Sequence, residues 1–140
     1  MEEDQKMVAL NSQMKEAFSQ TKPYSVATAS KNGVPNVVPM TQVWLEDDET
    51  IWVVDNFMVK TIANLKENPK IAIYLYSGDQ KACFQVKGNV TLYTSGKKFD
   101  KMKEMMKERN PNLPAKTLVE VKITEVFQCW YGAGAGKKLL

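Results

Sequence analysis

The sequence predicts a mainly antiparallel β-barrel of the α+β class, with one short helix inserted between two strands and further helices at either side. Three observations predict it. Runs rich in β-branched and aromatic residues recur between turn signals from Tyr24 onwards; the dipeptide Asn32-Gly33 separates two of them; and apolar residues at helical spacing are confined to three short stretches.

Met7, Leu10, Met14 and Phe18, with Ala17 beside them, recur at helical spacing and predict an amphipathic helix laid on a core. Val26 to Ala29 and Val37 to Trp44 read as strands flanking Lys31-Asn32-Gly33-Val34, because Asn-Gly readily takes the positive φ angles of a tight hairpin. Glu46-Asp47-Asp48-Glu49 is too charged to bury and reads as a hydrated turn before a strand over Thr50 to Val54. A short helix with Ile62 and Leu65 on its apolar side follows. Pro69 restarts an extended segment through Tyr76, and Ser77-Gly78-Asp79 turns the chain into a longer strand, Ala82 to Tyr93. Gly88 inside that strand predicts a bulge or sharp bend. Phe99, Met102 and Met106 mark another amphipathic helix stopped by Asn110-Pro111, and Thr117 to Phe127 is the sixth and last strand.

With 140 residues the chain reads as one domain, residues 1–140, large enough for a core without disulfides or a structural metal. Glu2, Glu3 and Asp4 stand where an export signal would carry positive charge, so the expected location is cytoplasmic. There is no apolar run long enough for a membrane span. The chain has no histidine, which excludes Ser–His–Asp and Cys–His catalysis and histidine-ligated metals. Cys83 and Cys129 lack companions for a zinc set and read as buried free thiols, with no disulfide between them in a reducing compartment. The net charge is only +3, and of the nineteen basic residues one alone, Arg109, is an arginine. The basic run from Lys97 to Arg109 is interrupted by acids and reads as a solvated helix face, so no nucleic-acid partner is expected. With so few side chains suited to chemistry, a cofactor is expected to supply the reactive atoms.

Lys60 and Thr61 sit where the chain leaves the extended strand ending Val53-Val54-Asp55 and enters the short helix. Unpaired N–H groups of a first helical turn attract anions, and an ammonium and a hydroxyl beside them reinforce the pull on a phosphate. A solvated surface lysine is the alternative reading of the same residues.

Pro35-Asn36-Val37-Val38-Pro39-Met40, the Met58-to-Thr61 corner, Asn64 to Pro69 and Phe84 to Val90, in this order, resemble the split-barrel flavin-binding superfamily of pyridoxamine 5′-phosphate oxidase and the small FMN-binding proteins. The likeness runs from about Ser25 to Val126. It implies a six-stranded split β-barrel with flanking helices, FMN as cofactor, and a homodimer whose flavin pocket is shared between subunits. Val37, Val38, Pro39 and Met40 would run along the flavin ring, with Val53, Val54, Asp55 and Asn56 at its other edge. Lys60 and Thr61, with Val59 beside them, would hold the phosphate. Gln42 and Gln85 would offer amides to the pyrimidine edge, and Trp130 would cap the partner's ring. Three positions depart from the oxidases. Val38 stands where they carry a phosphate-binding arginine, Cys83 about where they carry a glutamine, and the carboxy-terminal segment from Cys129 to Lys138 lacks their substrate-binding arginine. The departures argue against pyridoxamine phosphate oxidation itself. They leave a flavin-dependent oxidoreductase of unknown substrate or redox partner, with a non-enzymatic FMN carrier or electron-transfer protein, or a deazaflavin-dependent reductase, as alternatives; a haem is disfavoured by the absent histidine. The Gly132-to-Gly136 run is expected to be a flexible tail.

Overall fold

A computed structural model describes residues 6–140; the acidic residues 2–4, read above as unlike an export signal, lie outside the described residues. One antiparallel sheet holds seven strands: β1 (Tyr24–Ala29), β2 (Pro35–Met40), β3 (Val43–Asp47), β4 (Thr50–Asp55), β5 (Lys70–Ser77), β6 (Ala82–Tyr93) and β7 (Thr117–Gln128). Their order across the sheet is β2-β1-β5-β6-β7-β4-β3. The sheet curls into a half-barrel, and α1 (Ser12–Gln20), α2 (Lys60–Glu67) and α3 (Lys97–Arg109) pack on it. The α+β split-barrel class is as the sequence implies, with seven strands in place of six. The additional strand arises because the run from Val37 to Trp44 breaks at Thr41-Gln42, so that β2 and β3 become the two edges of the sheet.

The first helix starts later than the apolar spacing suggests. The Asn11 side chain accepts from the Met14 N–H at 3.0 Å and fixes the helix start, which leaves Met7 and Leu10 outside it. That segment runs extended instead, with Val8 N donating to the Ile123 carbonyl and Leu10 N to that of Asp48, both at 2.9 Å. Leu10 still reaches the core that Met14, Ala17 and Phe18 enter from α1.

Strand β4 is buried along its whole length, which explains why Thr50-Ile51-Trp52-Val53-Val54-Asp55 shows no polar alternation. Ile51 and Val53 face the main core inside the curl, whereas Trp52 and Val54 face a second core with Met102, Met106 and Leu118 beneath α3. Glu120 is buried in the neighbouring strand and satisfied twice, accepting from Trp52 Nε1 and from Lys98 Nζ, each at 3.1 Å.

Gly88 sits at the register shift that bends β6 against β7, as its place in the strand predicts. A Cβ there would lie 2.5 Å from Val121 Cγ1 and 2.6 Å from the Lys122 carbonyl oxygen, so only glycine allows the two strands to approach this closely.

The carboxy-terminal segment is not a loose tail. Gly136 N donates to the Gln128 carbonyl at 2.7 Å and Leu139 N to that of Val126 at 2.8 Å, while Lys138 forms a bridge with Phe127 and an ion pair with Glu125 at 3.6 Å. Glycines at positive φ, Gly132 and Gly136, let the chain reverse, and Leu140 packs against the main core. Among the described residues no helix is long and apolar enough to cross a membrane.

Candidate functional site

The turn between β4 and α2 is built on Asp55, which is buried and accepts from the Met58 N–H at 3.0 Å. That bond swings the chain out of the sheet, leaves Phe57 and Val59 exposed, and starts α2 at Lys60. Val59 provides no side-chain cap, so the first-turn N–H groups of α2 lack a side-chain partner at the cap position. Lys60 is exposed and forms no salt bridge among the described residues.

A network of short polar side chains holds this helix start against the edge of the sheet. Asn36 Nδ2 donates to the hydroxyls of Thr61 and Thr28 at 3.1 and 3.2 Å, and Asn64 Nδ2 donates to Thr28 at 3.0 Å. The Thr61 hydroxyl accepts from Asn36, which leaves its own proton for a second acceptor.

Between β2, the β2–β3 connection and the β4–α2 turn lies a cleft of about 700 Å³, within the size range of small-molecule sites. It brings together eight of the sequence-predicted residues: Val38, Pro39, Met40, Gln42, Asn56, Val59, Lys60 and Thr61. Its lining is mostly apolar on the β2 side and polar at the helix start. The donor set suits a flat apolar ring carrying a phosphate ester, since Lys60 and the uncapped turn offer donors and positive charge at one end while Val38, Pro39 and Met40 offer apolar surface along the other.

The remaining predicted residues lie elsewhere. Val53, Val54 and Asp55 are buried within β4 and do not line the cleft; Val53 faces the main core and Val54 the second. Val37 alternates to the opposite face of β2, where it is 67% exposed beside Tyr74, Gln85 and Cys129. Cys83, Gln85 and Trp130 are on that outer face too. There Tyr74 stacks on Tyr76 at 6.0 Å between centroids, Tyr76 on Trp130 at 6.1 Å, and Trp130 lies 5.2 Å from Tyr131. Within one chain, therefore, the predicted set divides between two faces of the sheet.

Two of the predicted site residues already have their side-chain amides engaged. Asn56 Oδ1 accepts from the Ala115 N–H at 2.8 Å, pinning the segment after α3, and Gln42 Oε1 accepts from Arg109 Nε at 3.2 Å. Arg109 also lies over the Trp44 ring, 4.6 Å from its centroid, so the chain's single arginine braces the cleft's rim. Sequence reasoning missed Arg109, Asn36 and Leu113 as parts of this neighbourhood. Asn36 had a legible signal, because it shares the period-two face of Val38 and Met40; Arg109 and Leu113 arrive from α3 and its following loop, and no local pattern points to them.

The cysteines differ from the sequence expectation of two buried thiols: Cys83 is buried, Cys129 exposed. Among the described residues no group of three or more His, Cys, Asp or Glu side chains is arranged to hold a metal.

Residues 10–130 match the pyridoxamine 5′-phosphate oxidase family, and the chain belongs to it. An uncharacterized protein of Methanocaldococcus jannaschii is 39% identical over 114 residues, covering 80% of this chain and 76% of that protein. Among solved structures, HupZ of Group A Streptococcus superposes with a TM-score of 0.77 at 23% identity, covering 91% of this chain and 99% of that one. An FMN-binding protein of Syntrophomonas wolfei gives 0.68 at 21% identity, with 81% of each chain covered. An F420 reductase gives 0.64 at 18% identity, covering 84% of this chain and 98% of that one. At these identities the three structures share the fold.

Proposed function

We propose that the protein binds FMN in the cleft between β2 and the start of α2 and acts as a flavin-dependent oxidoreductase. The observation that carries this reading is the uncapped, lysine-bearing first turn of α2, tied through Thr61 to the apolar edge strand. Lys60, the Thr61 hydroxyl and the backbone N–H groups beside them would hold the phosphate; Val38, Pro39 and Met40 would lie along the ring; and Gln42 and Asn56 would offer the amide protons their present bonds leave free. When bound, the flavin supplies the hydride or electron chemistry. The chain's own part is to orient the ring, neutralise the phosphate and exclude water from one side.

A single chain leaves the cleft open, and the row of exposed Val37, Tyr74, Tyr76 and Tyr131 with half-buried Trp130 is an apolar surface suited to a second copy. In the dimer we propose, Trp130 of one subunit closes the flavin pocket of the other. Titration of the purified protein with FMN, followed by visible absorption, tests the cofactor: a perturbed flavin spectrum with saturable binding is expected, and its absence overturns the reading.

Val38 in place of a phosphate-binding arginine favours a second reading, in which the pocket takes a deazaflavin on the fold shared with the F420 reductase. Competition between FMN and a deazaflavin for the same pocket decides between them. Bleaching of bound flavin by reduced nicotinamide cofactors separates an enzyme from a carrier.

A further inference from the structure

Cys83 and Cys129, far apart in sequence, meet across the β6–β7 ladder. Phe84 pairs with Gln128, so the next step of the register sets Cys83 opposite Cys129, and Cys129 N donates to the Cys83 carbonyl at 2.8 Å. Directly opposed residues of antiparallel strands project to the same face, and in a hydrogen-bonded pair such as this their Cα atoms are about 5.5 Å apart. A disulfide spans Cα separations of roughly 4.4–6.8 Å. The two thiols also differ in access: Cys129 is exposed at the end of β7, whereas Cys83 is 5% exposed.

We propose that Cys129 and Cys83 form a peroxide-reactive dithiol, Cys129 as the attacking thiol and Cys83 as the resolving one, that closes to an intrachain disulfide. In the first step the Cys129 thiolate attacks one oxygen of hydrogen peroxide; an S–O bond forms, the O–O bond breaks, and hydroxide leaves and takes up the proton Cys129 released. In the second, the Cys83 sulfur attacks the Cys129 sulfenic acid; the S–S bond forms, the S–O bond breaks, and water leaves carrying the Cys83 proton. The two thiols lose two electrons in total and the peroxide is reduced to two waters. The division of roles follows from access, since the oxidant meets the exposed sulfur first. Burial, and then the neighbouring Cys129 thiol, raise the Cys83 pKa, which agrees with Cys83 not being the first nucleophile. The bond would fasten the start of β6 to the residue preceding Trp130, so oxidation would fix the aromatic row on the outer face. Cytosolic disulfides of this kind are transient and redox-sensing, so the pair needs no oxidising compartment.

The test is treatment of the full-length protein with hydrogen peroxide, followed by alkylation in denaturant and mass spectrometry. The expected product is a monomer mass lower by two hydrogens, no alkylation at either cysteine, a peptide cross-linking Cys83 to Cys129, and reversal by dithiothreitol. An equal mixture of unlabelled and nitrogen-15-labelled protein should give no mixed cross-linked peptide. In the C83S variant a dimedone adduct should accumulate on Cys129, and in C129S the buried Cys83 should remain alkylatable. Sulfinic or sulfonic acid at Cys129 with Cys83 still alkylatable, a cross-link between chains, or two intact thiols under conditions that oxidise N-acetylcysteine would each overturn the proposal.

Discussion

The Asn36 amide donates to the Thr61 hydroxyl at 3.1 Å, and this one bond couples the edge strand of the sheet to the first turn of α2. Through its second bond to Thr28, which Asn64 also reaches, Asn36 fixes how far the helix start stands from the edge strand β2, where we propose the flavin ring lies. Replacing Asn36 with Ala removes both bonds, about 0.5–1.5 kcal/mol each. Together that is about 1–3 kcal/mol, so the expected outcome is a loss of FMN affinity of roughly five- to a hundred-and-fiftyfold. Isothermal titration checks it. Unchanged affinity would separate this network from the pocket.

Lys60 makes no ion pair within the described chain, so its charge is available to a ligand. Lys60→Ala removes a charge-assisted contact of about 1.5–3 kcal/mol, so FMN should weaken by roughly ten- to a hundredfold. Riboflavin has no phosphate and its affinity should change little. Equal losses for the two ligands would assign Lys60 to the fold.

Elements whose signals are local were legible in the sequence. β6 begins at Ala82 and ends at Tyr93, the bounds its composition predicts, and Gly88 bends it where the isolated glycine suggests. The later start of α1 shows a competing local effect, since the Asn11 cap outranks the apolar spacing of Met7 and Leu10. The carboxy-terminal segment shows the opposite, because the partners that hold Gly132 to Leu140 are on β7 and a Gly-Ala composition carries no trace of them. In the candidate site, the residues of the β4–α2 corner were readable from a strand-to-helix transition, whereas the bracing by Arg109 depends on where α3 ends in space. The same holds for the cysteine pair, whose meeting is a consequence of the β6–β7 register.

Gly88→Ala tests the close approach of β6 and β7 directly. The added methyl would press on the Lys122 carbonyl as well as on Val121, and backbone cannot rotate away as a side chain can. A destabilisation of about 1–3 kcal/mol is expected, read as a lower urea midpoint. A midpoint equal to that of the parent would show that the bulge relaxes freely.

Tyr24 is buried, its hydroxyl donates to the Phe18 carbonyl at 2.7 Å, and its pKa is pushed up to about 12, chiefly by burial. Below about pH 10 the folded and unfolded states both hold the phenolic proton. Between about 10 and 12 the unfolded chain releases it and the folded chain keeps it, so stability must fall as pH rises through that window. Lys98, whose pKa is raised by its hydrogen bond to Glu120, adds a slope of the same sign. Tyr74, whose pKa is likewise pushed up to about 12, chiefly by burial, contributes in the same window. Urea unfolding at a series of alkaline pH values should show the decline, and Tyr24→Phe should make it shallower while lowering stability near neutrality by about 1 kcal/mol. An equal slope in the variant would remove Tyr24 as its source.

Trp130 is held by Tyr76 on one side and Tyr131 on the other, on a face whose exposed apolar residues have no cover among the described residues. If that face pairs with a second copy and Trp130 closes the partner's pocket, flavin and partner must stabilise each other, because a ligand bound only by the dimer shifts the association equilibrium by mass action. Truncation at Trp130 is a poor probe, since it would also strip the strand-like bridge at Lys138 and the packing of Leu140. Trp130→Ala leaves both in place. The variant is expected to sediment with a weaker dimer and to bind FMN less tightly, and added FMN should shift the parent protein towards dimer at low protein concentration. A variant that is monomeric by sedimentation yet binds FMN with parental affinity would return Trp130 to a packing role and confine the pocket to a single chain.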